Sequence, residues 1–384
     1  MLDCKQFYET LTANGIDFFA GVPDSLLKHI CAYITDHAPE NRHSITPNEG
    51  NAVALAAGYH LATGKMPLVY MQNSGFGNTI NPLTSLTDPE VYAIPMLLLI
   101  GWRGAPGVKD EPQHVKMGRI NPALLEALEI PYRILPADWT EAESILQSAI
   151  QYMQTSSSPF VLLVQEGTFA GYKPHKELPA VENGLTREEA IAYAAARLPG
   201  NAVVVSTTGK ISRELYEYRE REGTGHGRDF LVVGSMGHTS QIALGIALAK
   251  PDRPVFCFDG DGSLLMHLGS LAAIGTSQCR TFHHLVFNNW AHESVGGQPT
   301  VAGQINLSQI AKACGYRGAY KASNLQELQA MLDMVISEGG PVLLEVLVEK
   351  GARPNLGRPR EKPIENKRKF MEGLRNAAGS IRTR

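Results

Sequence analysis

Two short polar segments in the second half of the chain carry side chains that could bind a metal ion. One follows the apolar run VFCFD and consists of Gly260, Asp261, Gly262 and Ser263. The other, Asn288-Asn289, follows the next apolar run, HHLVF. Because the carboxyl ends of parallel strands face the ligand crevice of a sheet, the oxygens of Asp261 and Asn289 are expected to converge. Such hard oxygen ligands suit Mg²⁺, and the glycines would let the backbone approach a diphosphate, whereas a lone Gly-Asp-Gly would indicate only a turn.

In the first half, Glu49 lies just past a short strand and opens an Ala- and Gly-rich segment, EGNAVALAAGYHLATG, that predicts a helix. An acidic side chain in a first helical turn is usually a favourable contact with the helix dipole. On this segment alone, that structural role is favoured over a catalytic one.

The elements that must position these residues form a repeating pattern. Short apolar runs that end in Gly, Asn, Asp or Ser alternate with longer amphipathic segments, which is typical of buried parallel strands joined by helices. The predicted strands of the first half are 18–21, 67–72, 95–100 and 159–165. Those of the second half are 202–206, 255–259, 284–287 and 341–348. The simplest architecture is α/β, with two doubly wound parallel-sheet domains.

Composition along the chain sets the predicted domain boundaries. The segment 172–184 carries two prolines, several charges and no apolar period, so it predicts a linker between domains at 1–171 and 185–384. Thr186 and Glu189 have the spacing of a capping box and predict a helix just after it. From Lys350 onward there are eleven Lys and Arg residues against three Glu. This basic tail (350–384) fits a solvated segment along the surface, with ligand binding as the alternative.

Overall composition excludes several classes of protein. The chain has 384 residues, 43% of them hydrophobic, and a net charge of -3, which argues against a disordered chain and against a dedicated nucleic-acid binder. Its five cysteines form no Cys-x-x-Cys pair, so a reducing, cytosolic setting fits best. The first residues lack the pattern of a signal peptide, and no apolar run is long enough for a membrane span. We expect a soluble cytoplasmic protein that acts on a small molecule, without a nucleic-acid or membrane partner.

The Gly-Asp-Gly segment followed by the double asparagine resembles the cofactor motif of the thiamine diphosphate enzyme family. The resemblance implies thiamine diphosphate and Mg²⁺ as cofactors, with a pyrimidine-binding domain at 1–171 and a diphosphate-binding domain at 185–384. It assigns as metal ligands the side chains of Asp261 and Asn289 and the backbone carbonyl of Ala291. The cofactor contacts that it implies, besides the metal ligands, are Glu49, Asn73, Thr208, Gly234, Ser235, Met236, Gly260, Gly262 and Ser263.

Three of these residues have a specific role by the same resemblance. Met236 would wedge between the two rings of the cofactor, although a methionine there could also fill the core. The carbonyl of Gly234 would accept a hydrogen bond from the exocyclic amine of the cofactor. Glu49 matches the glutamate that hydrogen-bonds the aminopyrimidine ring nitrogen of the cofactor. The resemblance therefore favours a catalytic role for Glu49 over the structural role that its segment alone suggests.

The resemblance also implies polar groups that transfer a proton after CO₂ has left. These are His114, in EPQHVKMG, and Asp24, in GVPDS. A lone histidine is more often structural, and with the resemblance the two roles of His114 are evenly balanced. Lys210 fits an ordinary surface lysine equally well. A substrate with a second anionic group needs cationic and N–H donors. The residues predicted to contact it are Asp24, Ser25, Asn73, His114, Lys210, His292 and Arg358.

Chain length narrows the family further. Its longer decarboxylases usually carry a central third domain, for which 384 residues leave no room. Across essentially its whole length the chain resembles the short decarboxylases, whose 2-keto acid substrate carries a phosphonate. The segments concerned are GVPDSLL, YMQNSGFGNTINPLTSL, LIGWRG, STTGKISREL, NNWAHESVGGQPT and LGRP. A sulfonate in place of the phosphonate is the nearest alternative, and a non-catalytic diphosphate-binding regulator is another.

Two further expectations follow from the resemblance. Trp290 departs from the family pattern, because a small residue such as glycine is expected at its position. Glu49 of one chain and Asp261 of another would face the same cofactor, which implies at least a homodimer. The sequence leaves dimer, trimer and tetramer open.

Overall fold

The computed structural model describes residues 1–176 and 179–376. These residues form two compact units, one of 1–176 with 294–298 and the other of 179–293 with 299–376. Each unit contains one six-stranded sheet in which every neighbouring pair of strands is parallel.

The first sheet has the strand order β2-β1-β3-β4-β6-β5. Its strands are β1 (Phe19–Gly21), β2 (His43–Ile45), β3 (Leu68–Gln72), β4 (Leu97–Gly101), β5 (Tyr132–Ile134) and β6 (Phe160–Val164). The helices of this unit are α1 (Cys4–Ala13), α2 (Lys28–His37), α3 (Glu49–Thr63), the single turn α4 (Ile80–Pro82), α5 (Pro112–Ala127) and α6 (Trp139–Ser156). Other helical segments, which are not α-helical, precede and follow α4, at Asn73–Thr79 and Leu83–Thr87.

The second sheet has the strand order β11-β12-β10-β9-β7-β8. Its strands are β7 (Val203–Ser206), β8 (Asp229–Leu231), β9 (Val255–Gly260), β10 (Phe282–Asn288), β11 (Gly318–Ala322) and β12 (Val342–Leu347). Its helices are α7 (Arg187–Arg197), α8 (Lys210–Glu222), α9 (Thr239–Ala249), α10 (Asp261–Met266), α11 (Ser270–Ser277), α12 (Leu307–Ala313), α13 (Leu325–Ser337) and α14 (Pro363–Asn376).

The two sheets share one topology. When strands are counted within their own unit, each sheet has the order 2-1-3-4-6-5. The central strands β4, β6 and β7 are buried along their whole length, which explains their continuous apolar runs. The prediction of two similar doubly wound α/β domains is confirmed.

Sequence patterns missed three strands, and all three lie at sheet edges. β5, β8 and β11 are the outermost strands in their sheets, and two of them contain exposed residues. The remaining edge strand of the two sheets is β2, and it corresponds to the short strand expected just before Glu49. An edge strand is covered less completely than a central one, so its sequence carries a weaker apolar signal.

The end of the described part of the basic tail is a surface helix, most of whose side chains are exposed. Residues 363–376 form α14, whose Phe370 is only 4% exposed and contacts the ring of Phe230 on β8. Asn366 donates to the Asp229 carbonyl (2.9 Å) and accepts from the Leu231 amide (3.1 Å), so the helix is docked on an edge strand. Residues 377–384 of the predicted tail lie outside the described residues.

The predicted linker is held by side chains at both of its described ends. Tyr172 donates its hydroxyl to Asp36 (2.8 Å) in the first unit. Asn183 donates to the carbonyls of Ser323 (2.7 Å) and Leu347 (2.9 Å) in the second. Beyond it, Thr186 and Glu189 form the predicted capping box at the start of α7. No helix in the described part of the chain has the length and apolar character needed to cross a membrane.

Candidate active site

The carboxyl edge of the second sheet collects most of the residues predicted to bind the cofactor. β9 ends at Gly260 and α10 begins at Asp261, so the Gly-Asp-Gly segment is the turn between them. β10 pairs with β9 in parallel, and it ends at Asn288 beside that turn. The strand order therefore brings Asp261 and Asn289 to one place, as predicted.

Asp261 is a buried carboxylate that forms no ion pair with any described residue. Its Oδ2 accepts a hydrogen bond from the Thr300 hydroxyl (2.6 Å). Burial raises its pKa to about 6, against the lowering effect of Thr300 and of the backbone N–H groups of Gly262 and Asn289. A buried carboxylate without a counter-ion costs free energy, and a bound cation would remove that cost.

Asn289 is held by both ends of its side-chain amide. Its Nδ2 donates to Glu293 Oε2 (2.9 Å), and its Oδ1 accepts from the Ala291 amide (3.1 Å). Glu293 also accepts from Lys210 Nζ (2.6 Å), so this predicted substrate lysine is engaged in an ion pair. Burial alone would raise the pKa of Glu293, but Arg187 and Lys210 outweigh it and hold the pKa below its usual value.

Met236 and His292 both lie over the Gly-Asp-Gly turn. A Cβ placed on Gly262 would be 3.1 Å from His292 Nδ1 and 3.4 Å from Met236 Cε. Met236 is half-buried, and His292 is buried deeply enough to lower its pKa to about 4. A side chain at position 262 would therefore crowd both residues.

Loop contacts place the remaining predicted cofactor residues of the second unit nearby. Thr208 accepts from the Gly234 amide at 3.1 Å. Ser263 accepts from the Gly237 amide (3.2 Å) and from the hydroxyl of Thr207 (3.0 Å). Ser235, between Gly234 and Met236, has a positive φ of 44°, which is uncommon for a residue other than glycine.

Trp290 also has a positive φ, of 59°, and so occupies the left-handed region where glycine is the ordinary residue. This geometry explains why the family pattern led us to expect a glycine. The indole packs against Gly303, at which an added Cβ would be 3.1 Å from ring atoms of Trp290. The departure is thus accommodated by a residue without a side chain on the opposite loop.

In the first unit, Glu49 begins α3 and is 4% exposed. Its Oε2 accepts from Asn78 Nδ2 (2.8 Å). A Cβ placed on Gly75 would be 2.0 Å from Glu49 Oε1, so the carboxyl group lies directly against that glycine. Burial raises the pKa of Glu49, with Asn78 opposing the shift.

Asp24 follows β1 and is fully buried. Gln72 Nε2 donates to its Oδ2 (2.6 Å), and the Leu26 amide donates to its Oδ1 (3.0 Å). Burial raises the pKa of Asp24 in spite of these donors. A raised pKa makes a carboxyl group a better candidate for a proton donor than an exposed aspartate.

Arg103 is a functional candidate that sequence reasoning missed. Its Nη1 donates to Ser25 Oγ (2.9 Å), its Nε to Asp110 Oδ2 (2.7 Å), and its backbone carbonyl accepts from Asn73 Nδ2 (2.8 Å). Arg103 thus joins two predicted substrate residues at the carboxyl ends of β1, β3 and β4. The signal that could have found it was the cation in LIGWRG, directly after an apolar strand.

His114 and Arg358 complete the predicted set. His114 lies on α5, and its Nδ1 is buried without a hydrogen-bond partner among the described residues. Burial and the nearby Arg103 lower its pKa. Arg358 is exposed and lies in the segment after β12, where Arg213 donates to the carbonyls of Leu356 and Gly357.

Comparison with known proteins identifies the family. The family model described as "Thiamine pyrophosphate enzyme, N-terminal TPP binding domain" matches residues 4–123. The one described as "Thiamine pyrophosphate enzyme, C-terminal TPP binding domain" matches residues 207–346. A phosphonopyruvate decarboxylase of Streptomyces viridochromogenes is 36% identical, over 96% of this chain and 94% of the relative. The chain belongs to the thiamine pyrophosphate enzyme family.

Other members of the thiamine pyrophosphate enzyme family are similar along most of their length. A phosphonopyruvate decarboxylase of Streptomyces hygroscopicus is 36% identical over 99% of both chains. A sulfopyruvate decarboxylase of Methanosarcina acetivorans is 31% identical, over 83% of this chain and 84% of the relative. The family predicted from the two cofactor motifs is therefore confirmed.

The residues present fit the cofactor and metal ion that the family implies. Asp261 and Asn289 supply a carboxylate and an amide oxygen, the donor chemistry that Mg²⁺ prefers. Asp261 is buried and forms no ion pair among the described residues, and Gly262 leaves the approach to the turn free of a side chain. The donor set and the burial would both suit a divalent cation held by Asp261 and Asn289.

Proposed function

We propose that this thiamine diphosphate-dependent decarboxylase converts 3-phosphonopyruvate to 2-phosphonoacetaldehyde and CO₂ with the help of Mg²⁺, as a step of phosphonate biosynthesis in the cytoplasm. The observation that carries the choice of substrate is the 36% identity to a phosphonopyruvate decarboxylase over 96% of the chain. The sulfopyruvate decarboxylase at 31% identity over 83% of the chain favours sulfopyruvate as the second candidate.

The proposed metal ligands are Asp261, Asn289 and the carbonyl of Ala291. The proposed cofactor contacts lie on the loops around them and in the first unit: Glu49, Asn73, Thr208, Gly234, Ser235, Met236, Gly260, Gly262 and Ser263. Bound thiamine diphosphate supplies a thiazolium ring that takes up the electron pair left when CO₂ departs. Met236 is proposed to hold the cofactor bent, which its position over Gly262 supports.

Glu49 is proposed to hold the proton at the aminopyrimidine ring nitrogen. Its carboxyl group is buried and its pKa is raised, so it shares a proton more readily than an exposed glutamate would. Gly75 and Asn78 fix the group in one place. A protein that merely bound a diphosphate would have no use for such an acid, which argues against a non-catalytic regulator.

Asp24 and His114 are proposed to supply and relay the proton that replaces CO₂ on the product. Burial raises the pKa of Asp24, so it holds a proton more readily than an exposed aspartate does. His114 has a lowered pKa and a buried Nδ1 without a described partner, so its ring is neutral and able to accept a proton.

The substrate carries a carboxylate and a phosphonate, so its pocket must provide several donors. We propose contacts from Ser25, Asn73, Lys210, His292 and Arg358, as well as from Asp24 and His114. Arg103 joins this set because its guanidinium contacts Ser25. The burial of Asp24, Asn73 and His292 would leave the departing carboxylate poorly solvated, which favours its loss as CO₂.

The two units are proposed to act on one cofactor from different chains. In this assignment 1–171 is the pyrimidine-binding domain, 185–384 is the diphosphate-binding domain, and the enzyme is at least a homodimer. An equimolar mixture of inactive Glu49→Gln and Asp261→Ala chains would then regain about a quarter of the sites by subunit exchange. If Glu49 and Asp261 of the same chain served one site, mixing the two variants would restore no activity.

A comparison of substrates tests the proposed specificity. The ratio kcat/KM is measured for phosphonopyruvate and for sulfopyruvate with thiamine diphosphate and Mg²⁺, with the aldehyde product identified in each case. A higher value for phosphonopyruvate is expected. A higher value for sulfopyruvate would transfer the assignment to the second candidate, and turnover of neither acid by the loaded protein would overturn both.

A further inference from the structure

Glu293 receives hydrogen bonds from four separate parts of the second unit. Its Oε2 accepts from Asn289 Nδ2 (2.9 Å) and from Arg187 Nη1. Its Oε1 accepts from Lys210 Nζ (2.6 Å) and from the Gly351 amide (3.0 Å). Asn289 follows β10 and Gly351 follows β12, whereas Arg187 and Lys210 are the first residues of α7 and α8. Donors from four directions hold the carboxylate of Glu293 in one orientation.

The partners of Glu293 are themselves fixed. Arg187 donates from Nε and Nη2 to the two oxygens of Glu214, at 2.8 and 2.7 Å. The Arg187 and Glu214 side chains are 5% and 1% exposed. Two cations and two carboxylates balance one another, and the fork of Arg187 holds both acids by charge-assisted bonds. The network is rigid and electrically neutral.

This network determines which end of the Asn289 amide faces which neighbour. A carboxylate that is paired with two cations accepts hydrogen bonds and donates none. The NH₂ group of Asn289 must therefore face Glu293, and the amide oxygen faces away, toward the backbone amide of Ala291. If the amide were rotated by half a turn, two oxygens would meet at Glu293, and the NH₂ group would stand where an oxygen ligand is needed.

We propose that Glu293 is a positioning residue that fixes the amide oxygen of Asn289 for the metal ion. The inference rests on the proposed function, in which Asn289 is a metal ligand. Glu293 itself acts only through Asn289. An alternative is that the cluster of Glu293, Arg187, Glu214 and Lys210 stabilises the fold and has no effect on metal binding.

Exchange of the two side chains separates these possibilities. Glu293→Gln removes the requirement that the NH₂ group of Asn289 face position 293. The double variant Asn289→Asp with Glu293→Gln restores one hydrogen bond with reversed polarity and keeps the net charge. It also leaves an oxygen at position 289 for the metal, because a carboxylate needs no particular orientation.

The affinity for Mg²⁺ is measured by calorimetry with saturating thiamine diphosphate, and a protein-free titration corrects for binding to the cofactor alone. We expect Glu293→Gln to weaken Mg²⁺ binding about 10- to 100-fold, as for other outer partners of metal ligands. The exchanged double variant is expected to recover most of that loss. Arg353→Met, which removes ion pairs with Glu188 and Glu217 in the same unit, is the control and should leave the affinity unchanged.

Thermal unfolding without metal shows whether each variant is folded. If Glu293→Gln does not fold, the double variant is compared with Asn289→Asp alone, in which two carboxylates meet, and the double variant must bind Mg²⁺ more tightly. An affinity that Glu293→Gln leaves unchanged, or that the exchange fails to recover, would overturn the positioning role. Asn289→Ala tests the foundation separately: unchanged Mg²⁺ binding in that variant would overturn the proposed metal site itself.

Discussion

The carboxyl group of Glu49 lies directly against the backbone of Gly75. A Cβ added to Gly75 would be 2.0 Å from Glu49 Oε1 and 2.3 Å from its Cδ, closer than any non-bonded atoms can approach. Asn78, three residues further on, holds the other carboxylate oxygen. The segment after β3 therefore fixes the acid that α3 presents at its first residue.

The contact between Gly75 and Glu49 predicts that Gly75→Ala displaces the Glu49 carboxyl group. We expect turnover of phosphonopyruvate to fall about 100-fold, because a catalytic group that is misplaced by roughly 1 Å loses that much rate. Steady-state kinetics measure the effect. Gly77→Ala is the matched control, because a Cβ there meets nothing within 4 Å. Equal activity of the two variants would show that the position of Glu49 does not matter.

Trp290 should be dispensable for metal binding. The loop around it is held by its amide, which donates to Asn288 Oδ1 (3.1 Å), and by its carbonyl, which accepts from the Thr300 amide (2.9 Å). Trp290→Gly keeps both bonds and relieves the positive φ. We expect the Mg²⁺ affinity of this variant to stay within about 3-fold of the wild type. Loss of a residue that orients a metal ligand typically weakens binding about 10- to 100-fold. A loss of that size in Trp290→Gly would show that the indole itself shapes the site.

Arg103 is predicted to attract the anionic substrate. Arg103 outweighs the effect of burial and holds the pKa of Asp110 well below its usual range, so both groups are charged. The double variant Arg103→Met with Asp110→Asn removes the cation without leaving a buried, unpaired carboxylate. We expect KM for phosphonopyruvate to rise about 10-fold or more, the worth of one charge-assisted bond. An unchanged KM together with a lowered kcat would contradict a binding role.

The stability of the second unit is predicted to fall in mild acid. His283 is 4% exposed, and burial lowers its pKa from 6.5 to about 4. The unfolded chain binds a proton at this residue below pH 6.5, whereas the folded chain does so only near pH 4, so stability is lost as the pH falls between these values. The cost is about 2 kcal/mol at pH 5.

His283→Leu removes this titration and keeps an apolar side chain beside Phe256, whose ring the imidazole stacks on. Urea unfolding at pH 7.5 and pH 5 measures the difference. The variant should lose about 2 kcal/mol less than the wild type between these pH values. Equal losses would mean that His283 does not carry the effect.

Local sequence patterns were sufficient for the parts of the fold that are buried on both sides. β4 is buried along its whole length and β9 up to Asp259, so residues 97–100 and 255–258 are apolar without interruption. The predicted strands 67–72 and 159–165 began one residue early, at prolines that lack the N–H needed in a strand. β8 escaped prediction because the helix that covers it, α14, arrives from the distant basic tail.

The residues of the candidate site also differ in how far local sequence patterns could predict them. Asp261 and Asn289 were found because their motif is local and the strand order that joins them is common to many sheets. Glu293 and Gly75 were missed because their roles depend on contacts that spacing does not reveal. Gly75 matters only through its closeness to Glu49, which lies on another element. Lys210 was predicted as a substrate contact, but its ion pair with Glu293 could not be inferred from its own segment.

The decisive measurement is the release of CO₂ from phosphonopyruvate by the wild-type protein and by Glu49→Gln. The affinity of both proteins for thiamine diphosphate is measured alongside. Together they test whether the chain is a thiamine diphosphate-dependent decarboxylase in which Glu49 is catalytic. The wild type is expected to release CO₂ only when both thiamine diphosphate and Mg²⁺ are present. Glu49→Gln should bind the cofactor within about 3-fold of the wild type and lose roughly 10²- to 10⁴-fold in rate, the range for a positioned acid. Release of CO₂ without the cofactor, or an undiminished rate in Glu49→Gln, would contradict the account.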